Sequence, residues 1–378
     1  MAVAVARTGA SLRPAERGEE ILLSGLVNTP VEPREEDTFD VAAAHEWLAA
    51  RVDGLDGVPV LRQFPGGASN LTYQLSYPDR DLILRRPPRG HRAASAHDMS
   101  REYRVQAGLE PVFPYVPKMI AFCDDESVIG AEFYVMSKID GIILRSELPE
   151  GLTLTPTRTR ELCTGMIDRL IELHQVDVHA AGLDDLGKGA GYVGRQIAGW
   201  SDRYRKARTD NVPAFTEVMD WLAAHQQEDV ATCLIHNDFR FDNVVFDAPE
   251  TMRVIGILDW EMATLGDPLM ELGATLAYWV QADDDDVIKR SKRQPTDLPG
   301  MLTRAEVVAY YSAKTGLPVD NWTFYEVYGL FRVAVIIQQL YRRYHDGGTH
   351  NPIYADYWMF VGYLEWRCQQ IIAKGGTA

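Results

Sequence analysis

The chain is short of cysteine, of long apolar runs and of positive charge, and each shortage removes a class of protein. Four cysteines occur in 378 residues, Cys123, Cys163, Cys233 and Cys368. They are scattered, form no Cys-x-x-Cys pair and have no histidine at zinc-like spacing, which argues against a disulfide framework or a structural zinc. The expectation is reduced, mostly buried thiols in a cytoplasmic protein. No stretch approaches the roughly 18–20 uninterrupted apolar residues of a membrane span. The Ala/Val run at the start soon meets Arg13, Glu16, Arg17 and Glu19, unlike a secretory signal. Acidic residues outnumber Lys and Arg by 54 to 38, a formal net charge of −16. That balance argues against nucleic acid as a partner; it suits a cationic small molecule, or solubility alone.

What is present is an ordinary globular composition, 46% hydrophobic and 24% charged. The length exceeds what one core usually supports, so two lobes are expected. Residues 1–38 carry Arg, Glu, Pro and Gly without a sustained period and are expected to be a loosely ordered arm. From Asp40, a natural N-cap, a short amphipathic helix begins. Gly66 and Gly67 open the alternating run Leu71, Tyr73, Leu75, Tyr77, and Leu82 to Arg86 returns as a second strand that delivers Arg85. Such a glycine-bearing turn can bring backbone N–H groups close to phosphate, although a plain surface hairpin reads the same way. A helix is expected over 95–108, with Ser95 and Asp98 as an approximate capping box and Glu102 in its middle. A second hairpin brackets Asp124 to Ser127, and Ser137 to Gly141 looks like a crossing between lobes. The rest is mainly helical, with Asp283 to Asp286 read as a solvated loop.

One segment stands apart. Cys233 to Phe246 contains His236-Asn-Asp238, with Asn243 five residues beyond that Asp, and the apolar strand from Val254 ends at Asp259. Buried strands do not normally end in unpaired carboxylates, because desolvating a lone charge is costly. A cation, most simply Mg²⁺ with phosphate, is expected against them. The order base, amide, acid is the one that phosphoryl transfer uses in kinase-like enzymes. His236 reads as a loop-bracing residue, and the Trp200/Tyr204 stripe as core.

With these pieces in order, the chain resembles the aminoglycoside phosphotransferase family, whose fold is kinase-like. The likeness is carried by His236 to Asn243 and Ile257 to Pro268. Gly66 to Asn70, Leu84-Arg85, Arg101 to Tyr103 and Leu173-His174 support it. Phe133 to Met136 and Gly191 to Gln196 with Trp200 resemble the branch that also occurs fused to acyl-CoA dehydrogenases. The resemblance implies an α+β, two-lobed fold, with a nucleotide-binding lobe over 39–138 and a mainly helical catalytic lobe over 139–378. It implies ATP and Mg²⁺, with Asp238 as base and Asn243 and Asp259 as metal ligands. Gly66, Gly67, Ser69 and Asn70 would cover the phosphates, Arg85 would contact them while paired with Glu102, and the backbone near Met136 would meet adenine. Arg240 is expected at the transferring phosphoryl group. The glycine turn lacks the full Gly-x-Gly-x-x-Gly pattern, and Arg stands where kinases proper carry Lys. The acceptor is expected to be a small-molecule hydroxyl, aminoglycoside-like or hydroxyacyl-CoA-like; a non-catalytic nucleotide binder is the rival reading.

Overall fold

In the computed structural model, residues 29–64, 70–88 and 98–375 are described. Gly66, Gly67, Ser69 and Ser95 lie outside them. The first lobe is a five-stranded antiparallel sheet, ordered β1-β2-β3-β5-β4. Its strands are β1 (Val60–Gln63), β2 (Leu71–Ser76), β3 (Asp81–Arg86), β4 (Met119–Cys123) and β5 (Phe133–Ser137). Strand alternation sorts its side chains onto two faces. Leu71, Tyr73, Leu75, Leu82, Leu84, Phe133 and Val135 pack towards helix α1 (Val41–Ala49). Ile83, Tyr134 and Met136 pack the other way, against Met99 of helix α2 (Met99–Leu109). Arg85 follows Ile83 by one period and so faces α2.

Asp40 caps α1 as expected, accepting from Ala43 N. The expected capping box of α2 is replaced by a single cap: Asp98 accepts from Arg101 N and the helix starts at Met99. The described end of the expected loose arm is also different. Val31 bridges Gln63 through backbone bonds of 2.8 and 2.7 Å, and Asp37 is buried with its carbonyl bound by Tyr73 and Arg86. Arg86, on the α1 face, lies 5.5 Å from the ring centres of both Phe39 and Tyr73. A buried cation therefore ties residues 29–39 to the sheet, a contact that no local period announces.

The second lobe holds α3 (Pro156–His174), α4 (Tyr192–Ala207), α5 (Thr216–Ala224), α6 (Pro268–Leu276), α7 (Asp286–Arg290), α8 (Arg304–Thr315), α9 (Trp322–His345) and α10 (Tyr357–Lys374). Beside them lie two small antiparallel ladders, β6 (Ile142–Ile143) with β8 (Val244–Phe246) and β9 (Val254–Ile257), and β7 (Cys233–Ile235) with β10 (Thr264–Gly266). Helix α9 crosses α6 at backbone contact. A Cβ on Gly329 would sit 2.2 Å from the Gly273 carbonyl oxygen, so any side chain there would force the helices apart. The acidic run at 283–286 is not a free loop. Asp284 is buried and paired with Arg304 at 2.7 Å and Arg367 at 3.2 Å, and Asp285 caps α7.

All four cysteines are free and buried, matching the expectation. Burial pushes the Cys163 thiol up to about 12, and it raises Cys123, Cys233 and Cys368 as well. Thiolate is the reactive form. The native protein should therefore show almost no reaction with a thiol reagent such as DTNB at pH 7.5, and four equivalents in denaturant. Rapid labelling of the native protein would contradict this burial.

Candidate active site

The segment after β7 cannot continue as strand because its backbone turns left-handed at Asn237, with φ 67°. A second left-handed residue, Asp259 with φ 68°, ends the strand run on β9. Two non-glycine residues in this region, facing one another, are the kind of strain that surrounding contacts must hold in place. His236, fully buried, does part of this. Its Nε2 bonds to Leu258 O at 2.9 Å, and its Nδ1 accepts from Asp238 N at 3.2 Å. The imidazole thus links the loop before Asp238 to the loop before Asp259, as its reading as a brace requires.

A residue that the sequence did not single out completes the brace. Glu271, 1% exposed on α6, accepts from His236 N at 3.1 Å and from Asn237 N. It also meets His174 Nε2 at 2.7 Å, while His174 Nδ1 meets the Tyr311 hydroxyl at 2.6 Å. The one available signal was a carboxylate inside the apolar run Pro268 to Leu276. Asp267 caps that helix, bonding Leu269 N and Met270 N at 2.9 Å each, and also binds Val230 N.

On this scaffold Asp238 Oδ2 is held by Arg240 Nη2 at 3.2 Å and by Asn243 Nδ2 at 2.9 Å. Asn243 Nδ2 also bonds Asp238 O at 2.9 Å, which turns its own oxygen away from the aspartate. Arg240 reaches Asp242 at 3.2 Å and lies 4.8 Å from the Tyr278 ring centre. Burial opposes its charge, but the flanking aspartates raise its pKa overall.

Across the cleft, the alternation of β3 delivers Arg85. Its Nη1 lies 2.8 Å from Glu102 Oε1 and its Nη2 3.1 Å from Asp259 Oδ1. Burial pushes the Glu102 carboxyl up, with the Arg85 charge pulling the other way. Burial would strip the proton from Arg85, yet Glu102 and Asp259 hold it well above the ordinary arginine range. Asn70, also buried, donates to Glu261 Oε2 at 3.1 Å, so the end of the glycine turn is fastened to the residue two beyond Asp259. Arg101 of α2 donates to Glu261 O at 3.3 Å and to Ala263 O, a further tie between the lobes.

Asp238, Arg240 and Asn243 are therefore joined to one another, as are Arg85, Glu102, Asp259 and Asn70 through Glu261. Met136 does not join this group. It lies buried on β5, paired with Ile83 and Met119. The N–H of Ser137 is already bonded to Lys118 O at 2.9 Å, so a base docking there must use groups beyond it.

A sheet lobe carrying an Arg–Glu pair, set against a helical lobe carrying an Asp–Asn loop and a left-handed Asp, is a protein-kinase-like fold. The comparisons name its family. The model of the phosphotransferase enzyme family matches residues 60–306, and the chain belongs to that family. Curated relatives include acyl-CoA dehydrogenase family member 10 of Mus musculus, 38% identical over 75% of this chain. Another is family member 11 of Rattus norvegicus, 32% identical over 85%. The chain spans only 26% and 42% of the length of these two relatives. Among solved structures, one from Ralstonia eutropha JMP134, provisionally assigned as an aminoglycoside phosphotransferase, is 30% identical with a TM-score of 0.73. It covers 88% of this chain and 99% of its own. A macrolide 2'-phosphotransferase type I shares the fold at 20% identity and TM-score 0.55, over 89% of this chain and 97% of its own. So does a thermostable mutant aminoglycoside phosphotransferase in ternary complex with AMP-PNP and hygromycin B. That chain is 15% identical with a TM-score of 0.53, over 89% of this chain and 99% of its own.

Proposed function

We propose that the chain is an ATP- and Mg²⁺-dependent phosphotransferase that moves the γ-phosphate to a hydroxyl of a small molecule. The observation that carries this reading is the convergence of Asp238, Asn243, Asp259, Arg85 and Glu102 on one cleft between the lobes. The acceptor oxygen attacks the γ-phosphorus, the bond to the ADP oxygen breaks, and the hydroxyl proton passes to Asp238. Arg240, bonded to the same carboxylate, keeps it aimed and faces the transferring group. Arg85, held by Glu102, meets the phosphates that the turn at Gly66, Gly67, Ser69 and Asn70 covers. The nucleotide-binding lobe is taken as 39–138, with Met136 beside adenine, and the acceptor lobe as 139–378.

The donor set fits Mg²⁺, which favours oxygen ligands. Asp259 uses Oδ1 on Arg85, which leaves Oδ2 without a partner among the described residues; Asn243 spends its amide N–H on Asp238, which leaves its oxygen. When bound, the ion supplies neutralisation of phosphate charge. An ATP analogue in a structure of the same fold supports ATP as donor. A degenerate, non-catalytic kinase-like protein would be expected to have lost the base or a ligand, and each position is filled here. Among the described residues no helix is long and apolar enough to cross a membrane; the buried thiols favour the cytoplasm.

The acceptor class has two candidates, aminoglycoside-like and hydroxyacyl-CoA-like. The names of the curated relatives favour the second. The direct test is acceptor-dependent ATP consumption across aminoglycosides, hydroxyacyl-CoAs, amino alcohols and sugars; no consumption with any class would overturn the proposal. In parallel, Asp259→Ala should weaken Mg²⁺-dependent nucleotide binding by about tenfold or more, the loss of one charge-assisted contact. A metal titration identical to that of the native protein would remove Asp259 from the ligand set.

A further inference from the structure

Beside the base lies a cation that the phosphoryl-transfer machinery does not use. Arg332, on α9, is 2% exposed. It reaches the site because α6 and α9 touch at Gly273 and Gly329, and Arg332 is one turn beyond Gly329 on the same face. Its Nη2 donates to Asn237 O at 2.7 Å, immediately before Asp238, and lies 3.9 Å from Met262 Sδ. Nε and Nη1 have no hydrogen bond among the described residues, and no carboxylate pairs with the guanidinium there. Unlike Nε and Nη1 of Arg86, these two atoms are not sealed in the core.

Its surroundings are aromatic. Trp200 lies 5.4 Å away by ring centre, with Arg203 on the same indole at 4.4 Å. Burial works against the charge of Arg332, while the hydroxyls of Tyr328, Tyr278 and Tyr192 and the carboxylate of Asp238 favour it, and the balance keeps it protonated. Asp238 forms no contact ion pair with it; its Oδ2 is held by Arg240 and Asn243. A desolvated guanidinium with one neutral partner is costly unless an anion joins it.

The rim is basic too. Arg293, exposed and within electrostatic range of Tyr278, is unpaired among the described residues, as is Arg203. Two of the acids in the 283–286 run are spent elsewhere: Asp284 on Arg304 and Arg367, Asp285 on α7 and Tyr363.

We propose that Arg332 is a specificity residue that binds an oxyanion of the acceptor, so that the enzyme phosphorylates hydroxyl compounds bearing a carboxylate or phosphate, not polycations. This rests on the phosphotransferase reading and narrows its acceptor class. The bidentate fork of arginine, with Nε and Nη1 lacking a hydrogen-bond partner among the described residues, suits either oxyanion. A carboxylate in the same molecule would anchor beside Asp238 and set the distance at which the hydroxyl meets it. In a thioester the phosphates of the carrier would meet Arg203 and Arg293 at the rim.

The experiment compares matched acceptors with the full chain, ATP and Mg²⁺. One set is 3-, 4- and 5-hydroxyhexanoate; the others are their coenzyme A thioesters, the corresponding neutral hexanediols, and kanamycin. The native enzyme is expected to use the acids and to discriminate against the diols and kanamycin. Preference for the free acids assigns the anion to the carboxylate on Arg332, whereas preference for the thioesters, which lack that carboxylate, would place the anion on the rim arginines and overturn the role of Arg332. Arg332→Gln should raise KM for the hydroxy acids roughly 10- to 100-fold, the worth of one charged hydrogen-bonded contact, so that the native preference for them over the diols narrows by about the same factor, and Arg332→Lys should recover part of the loss. Calorimetric binding of the acids to Asp238→Ala supplies a readout that does not need transfer. Binding retained there but lost in Arg332→Gln supports the site even if transfer fails. Diols or kanamycin used as well as the acids by the native enzyme would overturn it, whatever the fate of the variants. So would an equal loss with all acceptors in Arg332→Gln, which would leave Arg332 as a brace for Asn237.

Discussion

Asp238→Ala is expected to lose ATP-dependent phosphorylation by a factor of roughly 10²–10⁴, the usual worth of a general base, with nucleotide binding largely intact. The separation follows from geometry. Asp238 touches Arg240 and Asn243 but none of Arg85, Glu102, Asp259 or Asn70, the group proposed to meet the nucleotide. Its backbone N–H is bonded to His236, and that bond survives truncation of the side chain. The loop is further held through Glu271 and Arg332, neither of which contacts the lost carboxylate. The loss should therefore fall on kcat, with the KM for ATP close to native. Single-turnover transfer measured beside a fluorescent ATP-analogue titration checks both halves. Native turnover in the variant would remove Asp238 as base, and lost nucleotide binding would show that it serves the other side of the cleft.

Arg85→Met is expected to produce the largest loss of stability, about 3–5 kcal/mol for breaking a buried ion pair from one side. The reason is what stays behind. Glu102 is 2% exposed, and burial already pushes its carboxyl above the usual range even with Arg85 beside it. Removing the guanidinium takes away the opposing influence and drives that carboxyl higher still. An acid whose folded pKa is raised lends stability below its unfolded value and loses it as pH rises through the folded value. The deficit of Arg85→Met should therefore be greatest at neutral pH and shrink towards pH 5, as Glu102 takes up a proton. The double change Arg85→Met with Glu102→Leu should recover much of the stability, because no fully buried lone charge is left; Asp259, which also loses Arg85, is 36% exposed. Urea denaturation of the three proteins at pH 7.5 and 5.5 measures this. If the double variant is no more stable than the single one, uncompensated Glu102 is not the cause. Nucleotide binding should be weakened in both variants, since each lacks the cation proposed to meet the phosphates.

The two predictions differ in how much of their basis was legible in the chain. Asp238, Asn243 and Asp259 are written within one short stretch of sequence, and their order is that of a reaction. The Arg85–Glu102 pair could be guessed from a strand that ends in Arg followed by a helix with a central Glu. Alternation along β3 and the start of α2 at Asp98 then decide that the two side chains share a face. Asp283 to Asp286 misled: a run of like charges reads as solvated, yet Asp284 is buried because Arg304 and Arg367, from two distant helices, meet it there. Residues 29–38 misled in the same way, since their anchor is the buried Arg86 and not a pattern of their own.

What the sequence alone determined were the features with short-range causes. They include the cap at Asp40, the alternating strands of the hairpin and the spacing of Asp238, Asn243 and Asp259. Each depends on residues a few positions apart, where backbone geometry dictates which side chains can meet. Only the tertiary structure decided that Glu271 and His174 brace the loop before Asp238, and that Arg332 faces the same aspartate. Along α9, Arg332 interrupts the apolar run from Val327 to Ile337, and nothing in its neighbours says which face will be covered. The close crossing of α9 over α6 turns that face towards Asp238. A contact between residues so far apart in the chain is chosen by packing, which local periodicity does not encode.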